Sequence, residues 1–212
     1  MVRPVVVFAS GQLLTQEVWA PQAAALSRDY DLRFSDHTCD ETVAGMAARL
    51  LDEAPGRFHL IAHAMGGFTA FEVMRQAPER VASLVLIATL APNDGPAQTE
   101  RRQGYIRLVE SGRFADVVEE RIPILVHPAR REDAPLLATV RRMAADTGAE
   151  TFLRQQRAIM ARPDSRPLLP AIACRTLLIR GAQDAITTEA HQQEILAGIP
   201  GARLEAIDDC GH

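Results

Sequence analysis

The segment His59-Leu60-Ile61-Ala62-His63-Ala64-Met65-Gly66-Gly67 is where residue types and spacing point most directly to chemistry. An apolar strand runs straight into a helix. The turn between them is flanked by small residues, Ala62 and Gly66, two positions either side of Ala64. Such a turn holds its central residue in a strained conformation and needs small neighbours so the chain can approach itself. It presents the central side chain at the top of the sheet, beside a helix N-terminus whose free N–H groups stabilise negative charge. The residue at that centre is Ala64, and a methyl group cannot attack a carbonyl. Taken alone, the turn leaves two readings open, because any strand-to-helix turn in an α/β protein can be small and Gly-rich. Asp184, three residues after Gly181, is by itself equally readable as a turn-forming acid ahead of a helix. His37, His59, His127 and His191 have no chemical context and are assigned to the surface or to packing. His63 is assigned to supporting the turn.

The elements that must position these residues alternate in the manner of a parallel sheet covered by helices. Val5-Val6-Val7-Phe8 is a buried strand, Trp19, Ala23 and Leu26 mark a helix face, and Asp31-Leu32-Arg33-Phe34 is a shorter strand. Val43, Met46, Ala47, Leu50 and Leu51 fall at helical spacing, with Asp40 or Thr42 as N-cap. Phe58 to Ala62 and the strongly apolar Val81 to Ala88 are further strands, the latter central. From about Pro92 to Pro170 only helical patterns occur, around Tyr105, Phe114, Leu136 and Phe152. The strand pattern resumes at Thr176-Leu177-Leu178-Ile179. A helix from about Thr188 to Leu196 and a strand from about Ala202 to Ile207 follow. The expected division is therefore a core of residues 1–91 and 171–212, with residues 92–170 inserted as a helical lid. The apolar lid residues Tyr105, Ile106, Leu108, Ile124, Leu125, Phe152 and Met160 suggest an apolar pocket, although most are expected to pack within the lid itself.

In this setting His63-Ala64-Met65-Gly66-Gly67 resembles the nucleophile elbow of the α/β-hydrolases, in the variant where His-Ser-Met-Gly-Gly replaces Gly-x-Ser-x-Gly. The resemblance covers essentially the whole chain, down to Gln76-Ala77-Pro78-Glu79-Arg80-Val81 after the elbow helix. It implies a three-layer α/β sandwich with a mostly parallel sheet, and acyl-enzyme hydrolysis of a small ester, thioester or lactone, or of an activated C–C bond. Residue by residue, it makes Ala64 the nucleophile position, Asp184 the acid that orients the histidine, and His212, in the terminal Gly211-His212 pair, the general base. It makes the backbone N–H groups of Gln12 and Met65 the oxyanion donors. Ser10-Gly11 stands where the family has His-Gly or Pro-Gly. Ser10 itself sits on a loop without an elbow and is not expected to be a displaced nucleophile. No metal or organic cofactor is implied. Family members continue past this histidine with a helix that covers the sheet. A chain ending at His212 is thus expected to leave its catalytic loop frayed and part of the sheet uncovered.

Removing a triad serine costs on the order of 10⁶-fold in turnover. Three explanations for Ala64 stay open: a Ser→Ala substitution in an active hydrolase, a natural pseudohydrolase that binds without cleaving, and cofactor-independent chemistry with His212 alone as base. Composition sets the remaining bounds. The 212 residues suit one domain, 47% are hydrophobic and 24% charged, and the net charge is −4. No basic excess favours nucleic acid, and the scattered arginines are read as solvated helix faces. No apolar run is long enough to cross a membrane. Three widely spaced cysteines, Cys39, Cys174 and Cys210, suit reduced thiols in the cytoplasm. The expected partner is a small-molecule substrate, with a homodimer left open.

Overall fold

In the computed structural model, which describes residues 3–212, six strands form one parallel sheet. They are β1 (Val5–Ala9), β2 (Asp31–Phe34), β3 (Phe58–His63), β4 (Val81–Ile87), β5 (Arg175–Gly181) and β6 (Arg203–Ile207). Their spatial order is β2-β1-β3-β4-β5-β6. The four residues Val6 to Ala9 of β1 are all buried, as expected for a strand covered on both faces. The helices of the core are α1 (Ala20–Leu26), α2 (Val43–Glu53) and α3 (Met65–Gln76). Trp19 belongs to a 3-10 turn ahead of α1, not to the α-helix itself.

Local chemistry sets the ends of these helices. Thr42, not Asp40, caps α2 by accepting the Gly45 N–H at 3.0 Å. Asp40 instead pairs with Arg49 at 2.7 Å. Helix α3 buries all of Met65 to Met74 and stops before Pro78, which cannot continue a helix. Phe58, Leu60, Phe71, Leu84 and Leu86 lie in the main core between these layers.

Strand order reverses beside β1, since the chain places β2 on one side of it and β3 on the other. In open α/β sheets the crevice at the carboxyl ends of such strands is where ligands bind. The register brings Ala9 level with Ala62, and His63 level with Ile87. The loop after β1 and the turn after β3 therefore meet at that crevice.

Four helices occupy the stretch between β4 and β5: α4 (Pro96–Glu110), α5 (Phe114–Leu125), α6 (Ala134–Thr147) and α7 (Ala149–Met160). They have their own core, which includes Tyr105, Val117, Ile122 and Phe152. A buried ion cluster ties their two ends together. Asp94 pairs with Arg102 of α4 at 2.5 Å and with Arg162, just past α7, at 2.9 Å. The Arg162 guanidinium also lies 4.2 Å from the centre of the Phe68 ring, a cation–π contact with α3. Leu169, in the short 3-10 segment that follows, has rejoined the main core. Helix α8 (Glu189–Gly198) then leads to β6, which exposes most of its residues. Among the described residues no helix is long and apolar enough to cross a membrane.

Candidate active site

Ala64 sits between β3 and α3 with φ 50° and ψ −111°. A non-glycine residue in such a conformation costs on the order of 1–3 kcal/mol, and the surroundings must hold it there. Its N–H donates to the Ile87 carbonyl at 2.9 Å. Its own carbonyl accepts from the Thr89 hydroxyl at 2.8 Å and from the Gly67 N–H at 2.9 Å. A Cβ on Gly66 would run into the Ala9 carbonyl, and one on Gly67 into the Thr89 side chain. The two glycines let α3 start hard against β1 and β4, and that contact imposes the strain on residue 64.

Asp184, in the loop after β5, and His212, beyond β6, come together at the carboxyl edge of these two parallel strands. The Asp184 carboxylate accepts from His212 Nδ1 at 2.8 Å, from the Ile186 N–H at 2.7 Å and from the Thr187 N–H at 2.9 Å. The Thr187 hydroxyl donates to it as well. Burial works to raise its pKa. The hydrogen bond and charge of His212, followed by the Thr187 contacts, more than offset that and hold it down to about 2. Asp184 is therefore a carboxylate at any physiological pH, and His212 carries its Nδ1 proton and turns Nε2 away.

The loop bearing His212 is held rather than frayed. The His212 N–H donates to the Leu125 carbonyl, at the end of α5, at 2.8 Å. The His212 carbonyl accepts from His63 Nε2 at 2.9 Å, which fixes the His63 tautomer. Burial and the neighbouring His212 push the His63 pKa down to about 4, so the ring is neutral at physiological pH. His63 thus braces the histidine loop from the elbow.

Ala64, Met65, Gln12 and His212 all line one cavity of about 570 Å³, with Asp184 directly behind His212. Met65 is the first residue of α3 and Gln12 follows Gly11 in the loop after β1. Among the described residues neither backbone N–H is spent on another protein group. Both remain available to an oxyanion. Ser10 is buried and its hydroxyl accepts the Trp19 indole N–H at 2.9 Å, a structural task. Cys210 also lines the cavity. Burial and then the charge of Asp184 push its thiol up, which keeps it protonated and a poor nucleophile.

The roof is formed by the helical insertion, through side chains such as Val118, Leu136, Val140 and Met143. Of the seven apolar insertion residues singled out from the sequence, only Leu125 lines the cavity. Tyr105, Ile106, Leu108 and Phe152 pack in the insertion's own core, and Ile124 is exposed. The reading of the arginines as solvated faces fails at Arg102, Arg121 and Arg162. Arg162 is buried in the ion cluster, and the other two line the cavity. Nothing in helical periodicity separates an arginine facing an internal cavity from one facing water. Among the described residues no group of three or more His, Cys, Asp or Glu is placed to hold a metal ion.

A strand-to-helix elbow under a helical roof, with an Asp–His pair at the carboxyl edge of a parallel sheet, defines a class of layered α/β enzymes. The chain belongs to the alpha/beta hydrolase family, whose model matches residues 6–212. It is 30% identical over 230 residues to a Klebsiella pneumoniae (strain 342) protein named carbamate hydrolase RutD, covering 99% of this chain and 84% of that one. It also resembles a malate-bound thermophilic esterase from Thermogutta terrifontis, with a TM-score of 0.89 and 26% identity over 100% of this chain and 83% of that one. The enol-lactonase of Burkholderia xenovorans LB400 shares the fold at a TM-score of 0.89 and 23% identity, over 100% and 85% of the two chains. At the level of the family, the chain is a hydrolase.

Proposed function

We propose that this site is built for acyl transfer through a serine at position 64, acting on a small ester, thioester, lactone or carbamate, or on an activated C–C bond. The observation that carries this reading is an alanine held at φ 50° beside an intact Asp184–His212 pair. Alanine gains nothing from that strain. A side chain that must be lifted towards a bound carbonyl does.

With a hydroxyl on residue 64, the steps follow from the surrounding groups. The oxygen attacks the substrate carbonyl while His212 Nε2 takes its proton. Asp184 stabilises the resulting imidazolium through Nδ1. The Met65 and Gln12 N–H groups receive the developing oxyanion. His212 then passes the proton to the leaving group, and water, activated by the same base, releases the acyl group. Residues 92–170 act as the lid that keeps bulk water out. With the methyl of Ala64 in place, the chain binds and polarises a carbonyl without forming the acyl-enzyme.

The test is the Ala64→Ser variant, assayed against short-chain aryl esters and a serine-directed phosphonate probe beside the unchanged chain. The expected result is covalent labelling and ester hydrolysis in the variant, with turnover on the order of 10⁶-fold above the unchanged chain. A folded variant that shows neither, yet binds ester analogues tightly, would overturn the hydrolase reading in favour of a ligand-binding pseudohydrolase.

A further inference from the structure

Among the described residues Arg121, on α5, is a cavity-lining cation without a protein counter-charge. It is half-buried and is among the residues that line the 570 Å³ cavity shared with Ala64 and His212. Among the described residues no carboxylate comes within ion-pairing distance of it, and it makes no hydrogen bond. Its closest stabilising contact is the Phe152 ring, whose centre is 5.6 Å from the guanidinium carbon. Burial presses its pKa down to about 10, Tyr105 works against that, and Arg102 and Arg101 add to it. The group is still fully charged at neutral pH.

The other charged cavity residues with access to a partner have one. Glu17 is paired with Arg142, Arg102 with Asp94, and Arg130 with Asp133. Asp209 is exposed, where water compensates it. The interior of the cavity is therefore left with an excess of positive charge against largely apolar walls: Arg121 has no counter-charge, and Arg102 shares the single carboxylate of Asp94 with Arg162. A charge with restricted access to water and no partner is under-stabilised, and a ligand carrying the opposite charge relieves that cost.

We propose that Arg121 recognises a carboxylate on the substrate, at the end away from the carbonyl that meets residue 64. This rests on the acyl-transfer reading for where the reacting carbonyl lies. A carboxylate fits better than a phosphate for a physical reason. Arg121 supplies one positive charge in a planar fork that matches a carboxylate, whereas a phosphate dianion would bring a second charge into apolar surroundings. The substrate is then the half-ester, or an equivalent lactone or carbamate, of a short dicarboxylic acid.

The unchanged chain, which binds without turning over, allows a direct measurement. Calorimetric titration with monoethyl adipate and with diethyl adipate compares one carbonyl with and without the distal charge. The half-ester is expected to bind tenfold to a hundredfold more tightly, the range of a charge-assisted hydrogen bond. In Arg121→Met that preference should vanish while diester affinity stays level. In Arg121→Lys, which keeps the charge but not the fork, part of it should survive. If Arg121→Met does not fold, loss of most of the preference in a folded Arg121→Gln serves the same purpose. Equal binding of the two esters by the unchanged chain, or an undiminished preference in a folded Arg121→Met or Arg121→Gln, overturns the assignment. The two proposals fail separately. Hydrolysis of neutral aryl esters by Ala64→Ser does not depend on Arg121, and a carboxylate preference in the unchanged chain does not depend on turnover.

Discussion

His63 has a role that its position beside Ala64 only half announces. The sequence assigns it to supporting the elbow. The structure shows how: its Nε2–H reaches across to the carbonyl of His212, so the two chain segments that must stay in register are joined by one bond. Replacing His63 with Phe removes the donor and leaves a partly buried carbonyl unsatisfied, at a cost of about 1–3 kcal/mol. In an Ala64→Ser background we expect His63→Phe to lower kcat, because the loop that carries the proposed base loses its brace. His63→Gln, which can still donate, should recover part of the rate. Equal kcat in Phe and His forms would show that the brace is irrelevant. The elbow was legible in the sequence because its requirement is local: Ala62, Gly66 and Gly67 are small where backbone meets backbone. Arg121 was not, because an arginine on an amphipathic helix looks the same whether a cavity or solvent lies beyond it.

Element by element, the strands and core helices could be read from hydrophobic runs and their periodicity, which packing against a sheet enforces. Trp19 departs from the reading, since its indole is drawn to the Ser10 hydroxyl and the backbone there winds as a 3-10 turn. The insertion's helices were equally visible, but the way they sit was not. Their apolar residues satisfy one another first, and the cavity roof is made by a different set. What anchors the insertion is Asp94, whose side chain is 4% exposed and faces Arg162 at 3%. Asp94→Asn keeps the shape and removes the charge, leaving that buried guanidinium uncompensated. A loss of about 3–5 kcal/mol is expected, measured as a lower urea midpoint, together with faster proteolysis between residues 92 and 170. Unchanged stability would mean the cluster is not what fastens the roof.

For the molecule as a whole, acid is the expected weakness. His37 and His63 are both held neutral by burial, each with a pKa pushed down to about 4 from the usual 6.5. Between those values the unfolded chain binds more protons than the folded one, so stability falls as pH falls from 6.5 towards 4. The slope is about 1.4 kcal/mol per pH unit for each histidine, roughly 2.7 for the two. Asp184, held at about 2, withdraws a further contribution only below pH 3.8. Urea midpoints measured from pH 7.5 to 4.5 should therefore decline from about 6.5 downwards, and His37→Gln should roughly halve the slope. An identical slope in that variant would remove His37 from the account. One contact joins this whole-molecule view to the site. The N–H of His212 is bound to the carbonyl of Leu125, and Gly211 is pressed so close to the His127 amide that a Cβ there would come within 2.6 Å of it. The end of the roof and the loop that carries His212 are thus one joined piece. On the acyl-transfer proposal, a guest bulky enough to prop the roof ajar would drag the imidazole off its line of action. The protein would then discriminate by size without any wall to bar the way, admitting the oversized molecule and leaving it chemically unattended.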